Sequence, residues 1–153
     1  MKVTLYIIGV LIVLFILYLN SKDVRMRKKI LNKNKNRPHL KKNKYIERLI
    51  QKGFEKEHIE IFYNESQKII GIKSFTMYPE DDIYENYGLW DLDDLDLIDS
   101  ICAKLGIRKA EQEDLDELGK IFKSMNAESI LTLINRLKNT ESTSYKTKQA
   151  SKF

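Results

Sequence analysis

HIEIFYNESQKIIGIKSF, residues 58–75, decides what kind of domain this chain builds. Read at a period of two, Ile59, Ile61 and Tyr63 alternate with other residues, as do Ile70 and Ile72. The polar group Asn64-Glu65-Ser66-Gln67 between them would then be the turn of a β-hairpin. Read at a helical period, 55–63 form a helix with Ile59, Phe62 and Tyr63 on one side. Both readings stand. One gives a mainly α domain with a hairpin near 59–73, the other a helical domain throughout.

Downstream the periodicity is plainer. Tyr78-Pro79 marks a turn, because the residue before a proline avoids helical geometry. Residues 92–105 carry Leu95, Ile98, Ile101, Cys102 and Leu105 at steps of three and four, and predict a helix. Residues 113–124 do the same with Leu115, Leu118, Ile121 and Phe122. Residues 127–138 carry Ile130, Leu131, Leu133, Ile134 and Leu137, with Asn126 placed as an N-cap. The last fifteen residues, 139–153, are polar, lack periodicity and read as a disordered tail. Tyr78, Tyr84 and Tyr87 read as a roof over the core, and Trp90 as a plug within it.

Upstream, Tyr45, Ile46, Leu49 and Ile50 predict a helix that stops at Gly53. Before it, 20–43 has few apolar side chains and an Arg37-Pro38 break, and reads as a basic juxtamembrane linker. Residues 3–19, VTLYIIGVLIVLFILYL, are uncharged throughout and would make about 25 Å of helix, at the short end of a bilayer span. Tyr6 and Tyr18 stand near its ends, and no small-x-small cleavage site follows it. A transmembrane anchor is therefore expected over 1–19, then the linker at 20–43, a small helical domain at 44–138 and the tail.

Charge is strongly segregated. Residues 20–44 hold eleven Lys or Arg against one acid, whereas 80–118 hold fourteen acids against three bases. By the positive-inside rule the C-terminal part would lie in the cytoplasm, under the cell (inner) membrane, with the N-terminus outside. Arg25, Arg27, Lys28 and Lys29 would then lie against anionic lipid headgroups. A bilayer next to them makes lipid, and not nucleic acid, the nearer polyanion.

The acids raise three chemical readings. An EF-hand begun at Asp91 places Leu95 at position 5, Asp96 at 6 and Cys102 at 12; begun at Asp94 it places Ile98 at 5 and Leu105 at 12. Both lack the turn glycine and the bidentate glutamate. Transition-metal ligation finds His39 and His58 isolated and Cys102 without a second thiol. Acid–base catalysis needs one carboxyl desolvated beside another that is not, and a solvated helix face offers no such asymmetry. No Gly-rich phosphate loop or nucleophile constellation is present. The expectation is no enzyme, no cofactor, no metal and no small-molecule substrate. Cys102, on an apolar stripe, reads as a buried, inert thiol.

The run ENYGLWDLDDLDLIDSICAKLGI, 85–107, resembles the central motif of acyl carrier proteins, in which an acid, an apolar step and Gly precede Asp-Ser-Leu at the head of an acidic amphipathic helix. Glu85, Gly88, Leu92, Asp93, Asp96 and Leu97 fall into step with it. The resemblance implies a four-helix domain with an acidic recognition face. It also implies the loss of the phosphopantetheine, because Asp91 stands where those proteins carry the attachment serine. The expected function is a membrane-anchored interaction module in which Asp93, Asp96 and Asp99, with Leu97 outward beside them, meet a basic protein partner. Two alternatives remain: a true carrier modified at Ser100, or an immunity or inhibitor protein covering a toxin's basic site.

Overall fold

The computed structural model describes residues 11–12, 14–15, 17–18, 24–25, 28–72, 75–89 and 93–150, with side chains through 140. The chain divides into two compact units, Met1–Asn36 and Arg37–Phe153. In the first, the described residues as far as 34 are helical, and Leu11, Leu14, Phe15 and Leu17 are exposed. The Asn34 amide donates to the Ile30 carbonyl at 2.8 Å as the helix gives way to a turn at 35–36.

The expected transmembrane anchor is not upheld. Among the described residues no helix is long and apolar enough to cross a membrane. Within 3–19 the described positions form three separate pairs, and the rest of that run lies outside the described residues. The single-pass, inner-membrane placement depended on that helix and falls with it. Arg25, Lys28 and Lys29 are exposed helical residues, while Arg27 lies outside the described residues. Their assignment to lipid headgroups rested on the neighbouring span and loses that support.

The second unit opens on a strap rather than on a helix. Arg37 forks the Asp81 carboxylate, Nη2 to Oδ1 at 2.6 Å and Nη1 to Oδ2 at 3.1 Å, and its guanidinium lies 4.3 Å from the centre of the Tyr78 ring. The Tyr78 hydroxyl donates to the Pro38 carbonyl, and Leu40 is buried. A planar fork on a carboxylate that is 5% exposed is a strong, oriented contact. The folded unit therefore begins at Arg37, seven residues before the expected start at Lys44.

Helix α1, Lys42–Gln51, buries Tyr45, Ile46 and Leu49, and ends where Gly53 takes a φ of +92°. Helix α2, Lys56–Ile70, occupies the stretch whose period was ambiguous. Its buried residues, His58, Ile59, Phe62, Glu65, Ser66 and Ile70, are linked by steps of three and four. Ile61 and Tyr63 sit half-buried on its flanks, and Gly71, at φ +65°, separates Ile70 from Ile72. The hairpin expected near 59–73 is replaced by this fifteen-residue helix, and no strand occurs among the described residues. Burying one large apolar side chain contributes about 1.5–3 kcal/mol, whereas β propensity spans only about 1 kcal/mol. The burial pattern wins.

Helices α3, Ile83–Tyr87, α4, Asp93–Leu105, α5, Gln112–Ile121, and α6, Ala127–Ala150, complete the unit. α2 is central and packs on α1, α4 and α6, while α5 packs on α6. Asn126 caps α6 as expected, its Oδ1 accepting from Ser129 N at 3.0 Å, and Ile130, Leu131, Leu133, Ile134 and Leu137 are all buried. α6 then continues to Ala150 through most of the stretch read as disordered. α5 stops sooner than expected. Phe122 is extended, which turns Ile121 out of the core to 66% exposure. Tyr87 roofs the core against Phe75, ring centres 5.5 Å apart and edge to face; Tyr78 and Tyr84 are half-buried. Trp90 lies outside the described residues.

Candidate functional site

The acids at the head of α4 have a local reason to be there. Asp93, Asp94 and Asp96 occupy its first turn, where the helix dipole favours negative charge, and Lys104 occupies its last. Side chains three apart on a helix differ by about 60° in direction. Asp93, Asp96 and Asp99 therefore form a slanting row on the side of α4 away from its buried stripe, Leu97, Ile98, Ile101 and Cys102. Asp93 and Asp96 are exposed and Asp99 is half-buried.

Two members of the expected site change role. Leu97, assigned to the outer face, is 0% exposed, and Leu95, assigned to the core, is 38% exposed. The apolar residues permit two overlapping stripes, and packing against α2 selects the one containing Leu97. Asp99 forms an ion pair with Lys109 from the loop after α4, so its charge is already met within the domain. Asp94 points the other way: its Oδ2 accepts from the Tyr84 hydroxyl at 2.5 Å. Burial first, then that carboxylate, push the Tyr84 phenol above its ordinary value. The fully exposed part of the row is Asp93 and Asp96.

One to two turns past Asp96 on the same face of α4, a cluster that the sequence reading missed joins it to α2. Glu65, 6% exposed, accepts from Ser100 Oγ at 2.7 Å, from Lys104 Nζ at 2.6 Å and from Lys68 Nζ at 2.7 Å. Burial by itself raises this carboxyl, but the hydrogen bonds from Lys104, Lys68 and Ser100 outweigh it and bring it to about 2. The signal was present: on a helical reading Glu65 and Ser66 lie three and four residues after Phe62, on the buried stripe. Ser100, the alternative attachment point for a prosthetic group, spends its hydroxyl proton on this carboxylate. Asp91, at the aligned serine position, lies outside the described residues.

The remaining candidates are structural. Cys102 is buried, and burial followed by the Asp99 charge pushes its thiol up to about 11, which suits an inert side chain. His39 Nδ1 lies 3.1 Å from Thr76 Oγ1, whereas His58 is buried with Nδ1 2.9 Å from Asn135 Oδ1. Among the described residues no group of three His, Cys, Asp or Glu is placed to hold a metal ion. No family model, curated protein or solved structure matches this chain.

Proposed function

We propose that the second unit is a non-enzymatic interaction module that presents Asp93 and Asp96 to a basic protein partner, like an acyl-carrier domain without its prosthetic group. One observation carries this reading. These two acids both stand exposed in the first turn of α4. A negative patch of this kind raises the rate of encounter with a positive partner and rejects negative ones. Its reach is set by screening, about 8 Å at physiological salt.

Capture of a basic protein by the intact chain, followed by mass spectrometry, tests the reading. Asp93→Lys with Asp96→Lys abolishes capture while circular dichroism stays unchanged, and raised salt weakens capture by the unaltered chain. Undiminished capture by the charge-reversed chain sinks the proposal.

A further inference from the structure

A pocket of about 170 Å³ opens between α3, α5 and the loop that leads into α6. Its frame is fixed by hydrogen bonds to the backbone. Ile83 N donates to Met125 O at 2.8 Å, and the Asp82 carboxylate accepts from Met125 N at 3.1 Å through Oδ2. Through Oδ1 the same carboxylate caps α3, accepting from Tyr84 N at 2.9 Å and Glu85 N at 3.0 Å. α3 and the loop before α6 are thus tied together without any ligand.

Size limits the occupant. Sites for drug-sized ligands and cofactors run from about 300 Å³ upward, while an apolar cavity of about 150 Å³ holds a single benzene ring. One ring fits here and a cofactor does not. Tyr84, Leu115, Leu118, Phe122 and Met125 supply most of the lining, which suits an apolar body. Gly119 belongs to the same wall, and a Cβ built on it meets nothing within 4 Å.

The polar part of the wall sets the sign of the occupant's charge. Lys123 is the one charged residue that lines the pocket, and no carboxylate does. Lys123 is exposed, and among the described residues its ammonium group forms no ion pair or hydrogen bond. Its four-carbon stem lets three donors turn toward a bound anion. Ser124, also in the wall, accepts from Asn126 Nδ2 at 3.2 Å, which leaves its hydroxyl hydrogen for another acceptor. The nearby acids are committed elsewhere. Asp82 accepts from three backbone N–H groups, and Asp94 accepts from the Tyr84 hydroxyl and from Leu95 N at 2.9 Å.

We infer that this pocket binds a small aromatic carboxylate, its ring among Leu115, Leu118, Phe122 and Met125 and its carboxylate met by Lys123 and Ser124. The site is independent of Asp93 and Asp96 and does not rest on the interaction reading above. Burial of the ring supplies most of the affinity, and the charge-assisted bonds select the head group.

The probes are phenylacetate, phenylacetamide and phenethylamine, which share a ring and differ in the charge of the head. Each is titrated into the full chain carrying methyl-labelled methionine. Met125 reports from the wall, and the buried Met77, outside it, serves as the internal reference. Phenylacetate shifts the Met125 signal, leaves Met77 in place and binds about fivefold more tightly than the amide, the upper range for an exposed ion pair. The amine binds most weakly. Lys123→Ala lowers phenylacetate to the level of the amide, and Gly119→Leu, which occupies the open space, removes the Met125 shift. An unmoved Met125 overturns the site. Equal affinities for the acid and the amide, or a preference for the acid that survives Lys123→Ala, overturn the assigned head group. A Met125 shift that survives Gly119→Leu places the ligand elsewhere and overturns the site as well. The order of the three ligands is read on the unaltered chain, so it decides even if Gly119→Leu does not fold.

Discussion

The two ends of α4 hold charged side chains under opposite conditions. In its C-terminal half, Ser100 and Lys104 close on the buried carboxylate of Glu65, where every charge has a partner within 2.7 Å. In its first turn Asp93 and Asp96 are exposed. Removing either kind of charge has different consequences. A carboxylate inside a packed interface is part of the joint between helices, and its loss leaves its donors without an acceptor. A carboxylate on the surface adds little to folding and remains available to another molecule. The same helix can therefore hold its charges locked at one end and exposed at the other.

The sharpest way to break this division is through the apolar residues that set it. Leu97→Ala removes a fully buried side chain from the α2-facing stripe and is expected to cost about 2–5 kcal/mol. Leu95→Ala, two residues away but 38% exposed, should cost less than about 1 kcal/mol. Urea denaturation of the two variants measures both. Equal losses would mean that the inner and outer faces of α4 have been misassigned.

Next in size comes the buried carboxylate. Glu65→Gln weakens the charge-assisted bonds from Ser100 and both lysines and is expected to cost about 1–3 kcal/mol at neutral pH. Because Glu65 is held at about 2, below its ordinary 4.5, its contribution is complete above about 4.5. The contribution disappears as the pH falls from there towards about 2. The stability gap between wild type and Glu65→Gln should therefore close over that window. A gap that persists at pH 2 would remove the carboxylate from its place in the interface.

These contrasts also explain which parts of the fold were legible in the sequence. α6 was legible because Ile130, Leu131, Leu133, Ile134 and Leu137 admit one period only, and because Asn126 announces its start. Its extension to Ala150 was not, since the residues after 138 carry no apolar stripe to signal a helix. α2 was ambiguous because the alternating Ile59, Ile61 and Tyr63 coexist with a stripe through Phe62, Ser66 and Ile70, and only burial separates the two. In α4 Leu95 and Leu97 allow two registers, and the choice belongs to the partner helix. The strap was hidden by distance: Arg37 and Asp81 are 44 residues apart. Within the candidate site, Asp93 and Asp96 were recognisable as outward charges from the helical period alone. The engagement of Asp99 was not, because Lys109 reaches it from a loop that has no repeating pattern.

That last pair gives the smallest effect on folding and a sensitive probe of the outer flank. Lys109 is 75% exposed and Asp99 is 37% exposed, so solvent screens their attraction and Lys109→Ala should leave the unfolding midpoint close to that of the wild type. Its effect on the surface is larger. Loss of the ammonium group leaves Asp99 without that partner and adds its charge to the exposed Asp93 and Asp96, successive members lying about 60° apart in direction along the helix. Association with a Lys-rich peptide should then become faster, chiefly in the on-rate and more so at low salt, because charges at a rim act on encounter more than on dissociation. Stopped-flow association at two ionic strengths measures this. An unchanged on-rate would mean that a partner never senses Asp99, and would confine the face to Asp93 and Asp96. A slower one would mean that Lys109 itself touches the partner, and would reverse the sign of charge assigned to that end of the site.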